Sequence, residues 1–268
     1  MGLQKALAMS LATDTGRLRE RNEDSVAIDV ARGVALLADG MGGYNAGDVA
    51  SSLTVKLLLR GLAARLDAND VAQADMETIV REEVAKTNAA VYRTALSQTQ
   101  FAGMGTTLVL ALFHNNHLYC AHIGDSRLYR LRGERFQQLT RDHSLLQEEI
   151  DLGVLSPYEQ EHFQHKNLVT RALGVDPQVE AEIHCYPAEA DDIYLLCSDG
   201  LTDMASADDI RDTIDLQRKH LAQAAQALVK LANDHGGRDN ISVALVKVCK
   251  PFPTHGGFLQ SIGKRLFA

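Results

Sequence analysis

Four aspartates stand at the ends of apolar runs, where their carboxylates could gather into one site. Asp39 ends VALLAD, Asp125 follows LYCAHIG, Asp199 ends IYLLCSD, and Asp239 comes just before ISVALVKV. Any one of them alone is better explained as a turn residue, because aspartate is common in turns. If the strands are neighbours, their ends converge, and clustered carboxylates repel one another so strongly that they need protons or bound cations. The pattern therefore predicts a cation-binding site.

The candidate ligands are all oxygens, which favours hard divalent cations such as Mg²⁺ or Mn²⁺. Three glycines follow within four positions of Asp39. Gly40 has no side chain to block its own carbonyl or the water molecules of a metal ion. Two such ions can activate a shared water molecule and hold phosphate oxygens, which is the chemistry of phosphoryl hydrolysis.

A phosphate substrate also needs a cationic partner, and guanidinium groups pair with phosphate through two parallel hydrogen bonds. The segment GRLRERNEDS places arginines at positions 17, 19 and 21 just before Glu23 and Asp24. On this segment alone, solvated surface arginines are an equally good interpretation.

The composition argues against other classes of protein. The formal net charge is -8, and nucleic-acid binding needs a basic surface. No GxxxxGK[ST] loop occurs, and neither GMGTT nor DGMGG matches GxGxxG, so a nucleotide-binding enzyme is a poor fit. The four cysteines are scattered without CxxC, which favours buried free thiols in a reducing compartment. Without a signal-peptide pattern or a membrane-spanning run, we expect a cytoplasmic protein with no stable membrane insertion.

The elements that must position these residues alternate between helices and strands. Helical spacing predicts helices at 48–66, 71–96 and about 220–234. The apolar run ISVALVKV predicts a closing strand at 241–248. Apolar runs joined by short turns predict an antiparallel meander of four strands, at 106–113, 117–124, 126–132 and 134–140. The polar stretch at about 141–167 predicts an excursion of short helices, and its His143, His162 and His165 are interpreted as surface residues. The pattern favours α+β layers in a single domain.

Eight motifs carry a resemblance to a known family: DTGRLRERNEDS, LLADGMGG, GMGTT, HIGDSRLYRL, LTRDHSL, NLVTRALG, LLCSDGLTD and GGRDNISV. Their order and spacing resemble the metal-dependent protein phosphatases of type 2C, in their bacterial branch, from about Ala12 to Val248. The resemblance implies an α+β fold, a four-layer α-β-β-α sandwich of two antiparallel sheets flanked by helix pairs. The segment at 141–167 resembles the flap beside the family's active site.

The resemblance also implies metal ligands. Asp39 resembles the ligand that bridges a tight pair of Mn²⁺ or Mg²⁺ ions, and Gly40 resembles the carbonyl ligand. Asp199 and Asp239 resemble the remaining ligands of the pair. Asp125 resembles the acid that, with Asp199, holds a third and weaker ion in bacterial members.

Other roles follow in the same way. Arg19 resembles the arginine that binds phosphate, and Glu23 and Asp24 resemble the acids that steady the water molecules on the metal ions. Met41 and Tyr44 stand where some relatives have histidines that could donate a proton to the leaving group. The general acid therefore stays open between Tyr44 and a water molecule on a metal ion.

The function implied is a protein serine/threonine phosphatase in which a metal-bridged water attacks phosphorus without a covalent intermediate, opposing a bacterial serine/threonine kinase. Its partners would be phosphorylated proteins, including a kinase and its substrates, and we expect a monomer. The alternative from another class is a catalytically inactive relative that binds phosphoproteins as a regulator, against which the intact acids argue. We expect a catalytic domain at 1–249 and a tail at 250–268 that packs on its own domain or has no fixed structure; docking to a partner or a membrane is the alternative.

Overall fold

Two antiparallel β-sheets form the centre of the computed structural model, which describes residues 2–43, 46–68, 75–156, 158–159, 163 and 168–253. The strands are β1 (Leu7–Asp14), β2 (Asp24–Asp29), β3 (Val34–Met41), β4 (Gly105–Thr106), β5 (Leu108–His114), β6 (His117–Ile123), β7 (Arg127–Arg132), β8 (Arg135–Gln138), β9 (Glu182–Pro187), β10 (Ile193–Cys197) and β11 (Ile241–Val248). The α-helices are α1 (Ala46–Asp67), α2 (Met76–Ser97), α3 (Leu145–Asp151), α4 (Asp199–Thr202), α5 (Ala207–Leu216) and α6 (Leu221–Asp234).

The first sheet has the strand order β2-β3-β5-β6-β9, and β4 pairs with the end of β3. The second sheet has the order β1-β11-β10-β7-β8. Their facing sides share one core, in which Phe113 of the first sheet meets Tyr194 of the second edge to face, with ring centroids 5.2 Å apart. The two sheets therefore pack face to face.

A helix pair covers the outer side of each sheet. Leu58 of α1 and Val84 of α2 pack on the first sheet, and Ile210 of α5 and Leu228 of α6 pack on the second. Central strands are thus buried on both faces, which explains why β3 is a continuous apolar run rather than an alternating one. The predicted four-layer α-β-β-α sandwich is confirmed.

The predicted four-stranded meander is wrong. β5 and β6 pair in the first sheet, whereas β7 pairs with β8 and β10 in the second. The chain crosses between the sheets at residues 124–126, where Gly124 has a φ of +96° and a Cβ would lie 2.7 Å from the Thr107 side chain. Turn signals and alternation cannot distinguish such a crossing from a hairpin, because both look like a short break between strands.

Several other expectations differ in detail. The second helix was expected from 71 but α2 begins at Met76, after Asp75 accepts a hydrogen bond from the Glu77 amide; positions 71–74 lie outside the described residues. All four cysteines are free, but Cys185 and Cys249 are exposed, so the expectation of buried thiols is right only for the other two.

In the described part of the chain, no helix has the length and apolarity needed to cross a bilayer.

The segment predicted as a flap is joined at its base. The Leu145 amide donates to the Leu168 carbonyl, and the Thr170 amide donates to the His143 carbonyl. Helix α3 lies within it, as the expectation of short helices requires. The remainder, at 157, 160–162 and 164–167, lies outside the described residues, as does the tail from 254 onward. The predicted tail helix is therefore not described.

Candidate active site

A cavity of about 460 Å³ opens at one end of the two sheets, where segments from both sheets converge. Its wall contains each residue predicted as a metal ligand, together with two predicted partners of phosphate and water: Asp39, Gly40, Asp125, Asp199, Asp239, Arg19 and Glu23. The acids come from the end of β3, the crossing after β6, the start of α4 and the turn before β11. The expected convergence thus occurs across two sheets rather than along one.

Asp24 does not line the cavity but lies behind Asp39, opposite it in the β2–β3 register. Its Oδ2 accepts a 2.8 Å hydrogen bond from the Ser198 hydroxyl. Burial raises the pKa of Asp24 to about 6. Burial and the nearby carboxylates of Asp24 and Asp199 raise the pKa of Asp39 well above its usual range. Asp24 and Asp39 therefore need a shared proton or a bound cation.

Two further acids of the cavity wall also have raised pKa values. Burial, followed by repulsion from Asp125 and Asp239, raises the pKa of Asp199 to about 8. Burial, followed by repulsion from Asp142, raises the pKa of Asp125 to about 6. All these shifts have the sign expected of carboxylates gathered out of water without a compensating cation.

Unpaired oxygens test whether this site suits a metal ion. Asp24 Oδ1, Asp199 Oδ1 and Asp48 Oδ1 are buried and have no hydrogen-bond partner in the part of the chain that the structure describes. A buried carboxylate oxygen without a partner is costly. A hard divalent cation and its water molecules would satisfy such oxygens, so the donor set fits Mn²⁺ or Mg²⁺.

Asp48 was not among the residues predicted from the sequence. It lies in the first turn of α1, and after burial it is the largest cause that raises the pKa of Glu23. Its place in the sequence gives no specific signal, because acids are common in the first turn of any helix.

Gly40 is explained by packing as well as by access to its carbonyl. A Cβ at Gly40 would lie 2.0 Å from the carbonyl oxygen of Gly47 and 2.7 Å from that of Glu23. The start of α1 therefore approaches the end of β3 so closely that only glycine fits.

The threonines of GMGTT hold the backbone of Asp39. The Asp39 amide donates to Thr107 Oγ1 over 2.9 Å, and the Thr107 amide donates to the Asp39 carbonyl over the same distance. Thr106 Oγ1 donates to that carbonyl as well. Thr107 Oγ1 is also 2.7 Å from Ser126 Oγ, which follows Asp125. Thr107 therefore links the two acidic segments, a role that the motif alone did not reveal.

The loop that carries Arg19 is held by Asp239 and Asn240, in the turn before β11 of the second sheet. Arg19 Nη2 donates to Asp239 Oδ2 over 2.6 Å. The side chain of Asn240 donates to the carbonyls of Thr15 and Arg21 and accepts from the Glu23 amide, over 2.8 to 2.9 Å. Sequence reasoning missed Asn240, whose amide satisfies three backbone groups at once.

Of the two positions where relatives have a histidine, the structure describes only Met41. Met41 lines the cavity and has no proton to donate. Tyr44 lies outside the described residues.

The interpretation of His143 as a surface residue is wrong. It is buried, stacks on His122 with ring centroids 4.7 Å apart, and accepts a hydrogen bond from the Gly124 amide. With Glu182 the pair resembles a metal-ligand group. The two rings are only 16° from parallel, so one ion could not lie in both ring planes, and the Arg171 guanidinium is 3.3 Å from His143 Nε2. His162 and His165 lie outside the described residues.

Comparisons with known proteins agree with this geometry. The family model described as protein phosphatase 2C matches residues 17–233. The chain is 38% identical over 241 residues to the serine/threonine phosphatase stp of Listeria welshimeri, covering 88% of this chain and 93% of the relative. It is 40% identical over 250 residues to the protein phosphatase PhpP of Streptococcus pneumoniae, covering 90% and 98%. A crystal structure of the catalytic domain of the phosphatase PstP in complex with two manganese ions is similar, with a TM-score of 0.80, 37% identity and coverage of 90% and 98%.

Proposed function

The chain belongs to the protein phosphatase 2C family, and from that premise we propose that it is a metal-dependent serine/threonine phosphatase of phosphoproteins. One observation carries the proposal: acids from both sheets converge in one cavity with an arginine in its wall. The relatives named above are serine/threonine or protein phosphatases, and one of them binds manganese in its crystal structure.

The residues that would hold the metal ions are those of the cavity wall. We assign Asp39, the Gly40 carbonyl, Asp199 and Asp239 to a tight pair of Mn²⁺ or Mg²⁺ ions, and Asp125 with Asp199 to a third, weaker ion. The unpaired buried oxygen of Asp199 and the raised pKa values of Asp39 and Asp199 support this assignment. When bound, such ions neutralise the carboxylates, bind phosphate oxygens and make a water molecule acidic enough to attack phosphorus at neutral pH.

The protein's own groups would bind and orient the substrate. The Arg19 side chain is 51% exposed and can bind phosphate oxygens with its free nitrogens while Asp239 fixes its position. Glu23 lies in the cavity wall with a pKa raised by burial, where it can accept hydrogen bonds from water. Asp24 acts from behind Asp39, because its carboxyl group, held by the Ser198 hydroxyl, adds negative charge beside Asp39 and so favours a cation there.

Proton donation to the leaving group is assigned by elimination. A serine or threonine alkoxide leaves poorly without a proton, and Met41 cannot supply one. The donor is then Tyr44 or a water molecule in the cavity.

The finer features of the function rest on the sequence. We propose that the protein opposes a bacterial serine/threonine kinase in the cytoplasm and works as a monomer. We also propose a catalytic domain at 1–249 with a tail at 250–268; the family match at 17–233 and the end of the last strand at Val248 support that boundary.

The test measures phosphate release from a phosphothreonine peptide by the purified full chain. We expect turnover with Mn²⁺ or Mg²⁺ and none in excess chelator, and Asp39→Asn should abolish turnover under both conditions. Full turnover in chelator would contradict the metal assignment. Peptide binding without turnover, with metal present, would favour the inactive regulator instead.

A further inference from the structure

Three exposed arginines lie on the two backbone segments that carry Arg19 and Asp239 into the cavity wall. We call Arg17, Arg21 and Arg238 the arginine rim. Within the residues that the structure describes, none of the three guanidinium groups has a hydrogen-bond or ion-pair partner, whereas Arg19 is paired with Asp239. This cationic group occurs in a chain whose formal net charge is -8.

The rim is carried by two backbone segments that are packed together. The Arg17 amide donates to the Gly237 carbonyl over 2.7 Å. A Cβ at Gly16, where φ is +82°, would lie only 2.2 Å from the Asp239 carbonyl oxygen. Asn240 holds both ends of the loop, as described above. The arginines therefore project from a fixed base rather than from a free loop.

The distances along the chain place the rim within reach of a bound peptide. Arg17 and Arg21 are each two residues from Arg19, a span of at most about 7 Å, and Arg238 directly precedes Asp239. An extended peptide advances about 3.3 Å per residue, so side chains one to three positions from a phosphorylated residue at Arg19 would reach the rim.

Two acids face the rim. Glu23, in the cavity wall, interacts electrostatically with Arg21, and Glu20 lies on the same loop. Asp234 faces Arg17 but is already bound by Lys230. The mouth thus presents guanidinium groups whose natural partners are anions.

We propose that the arginine rim binds aspartate and glutamate side chains that flank the phosphorylated residue, so that acidic phosphorylated segments are the preferred substrates. This inference rests on the proposed phosphatase function. Guanidinium groups bind carboxylates through two parallel hydrogen bonds. Because the rim is exposed, each pair contributes modestly, acts on association as much as on dissociation, and weakens with salt.

The experiment compares phosphothreonine peptides that differ only at the flanking positions, which carry Asp and Glu, or Asn and Gln, or a second phosphothreonine. With Mn²⁺ at low ionic strength, wild type should show a kcat/KM about 5- to 10-fold higher on the acidic peptide than on the neutral one. At about 0.3 M salt the ratio should fall to about 2.

Arg17→Gln, Arg21→Gln and Arg238→Gln should each lower the acidic-to-neutral ratio about 2-fold, and the triple variant should bring it to about 1. Arg135→Gln is the matched control, because it removes the same charge from an exposed position on β8, outside the cavity wall, and should keep the wild-type ratio. A wild-type ratio of 1, an unchanged ratio in the triple variant, or a preference for the second phosphate alone would overturn the inference. Failure to hydrolyse any of the peptides would instead contradict the proposed function.

Discussion

Asp24 and Asp39 lie directly opposite each other in the β2–β3 ladder, and after burial the charge of Asp24 is the largest cause that raises the pKa of Asp39. Two carboxyl groups so placed cannot both be charged without a nearby cation. Metal ions and protons must therefore compete for the centre of the site, and this competition should be visible in the stability of the protein.

The first prediction concerns the stability of the metal-free protein. Folded-state pKa values near 6 for Asp24 and Asp125 and near 8 for Asp199 exceed the ordinary value of 3.8. The folded state then binds protons more tightly than the unfolded state, so this stabilisation is complete below about pH 4 and is lost as pH rises through about 6 and 8. In chelator, the free energy of unfolding from urea titrations should fall by several kcal/mol between about pH 5 and about pH 8.

Saturating Mn²⁺ provides the control. Metal ions bind deprotonated carboxylates, so the free energy of unfolding should rise with pH over the same range. The same downward slope with and without Mn²⁺ would show that these acids do not bind the metal.

The second prediction separates Asp39 from Asp125. Asp39→Asn keeps the side-chain shape but removes the central charge, so Mn²⁺ binding by calorimetry and phosphopeptide turnover should be lost together. Asp125→Asn should keep tight Mn²⁺ binding and lower kcat on a phosphothreonine peptide by about 10- to 100-fold. The loss should be smaller on an aryl phosphate, whose leaving group scarcely needs a proton. Equal losses on both substrates would remove Asp125 from protonation of the leaving group.

The third prediction concerns Thr107, which touches no substrate in this proposal. Thr107→Val keeps the shape but leaves the Asp39 amide without its acceptor and breaks the link to Ser126. We expect a loss of about 1 to 3 kcal/mol in the free energy of unfolding and weaker Mn²⁺ binding. Thr107→Ser, which keeps the hydroxyl, should restore the Mn²⁺ affinity. If valine and serine behave alike, the hydroxyl does not position Asp39.

The fourth prediction compares two glycines of the same motif. At Gly40 an added Cβ would meet the Gly47 carbonyl at 2.0 Å, whereas at Gly43 it would meet nothing within 4 Å. Gly40→Ala should therefore lower the free energy of unfolding by about 3 kcal/mol or more, because backbone must move. Gly43→Ala should change it by less than about 0.5 kcal/mol. A well-folded, active Gly40→Ala would show that α1 can shift away from β3.

The strands and their acids could be predicted because apolar runs and their terminal aspartates are local features. The crossing between sheets at Gly124 could not, since pairing partners far apart in the chain decide it. Burial of His143 escaped for a related reason: its neighbours in sequence are polar, but its stacking partner His122 comes from another strand. Thr107 and Asn240 act through backbone groups, which carry no signature in the sequence.

The paired base of the flap has a consequence for how such enzymes can diverge. Ser144 and Val169 form an isolated bridge, and Leu168 and Val169 remain in the cavity wall. Residues inserted or removed between Ser144 and Leu168 change the free energy of folding mainly through loop-closure entropy, by about 0.6 kcal/mol for each doubling of the loop length. A lineage can therefore exchange or resize this segment, and with it the surface beside the substrate, while the sheets and their acids stay as they are.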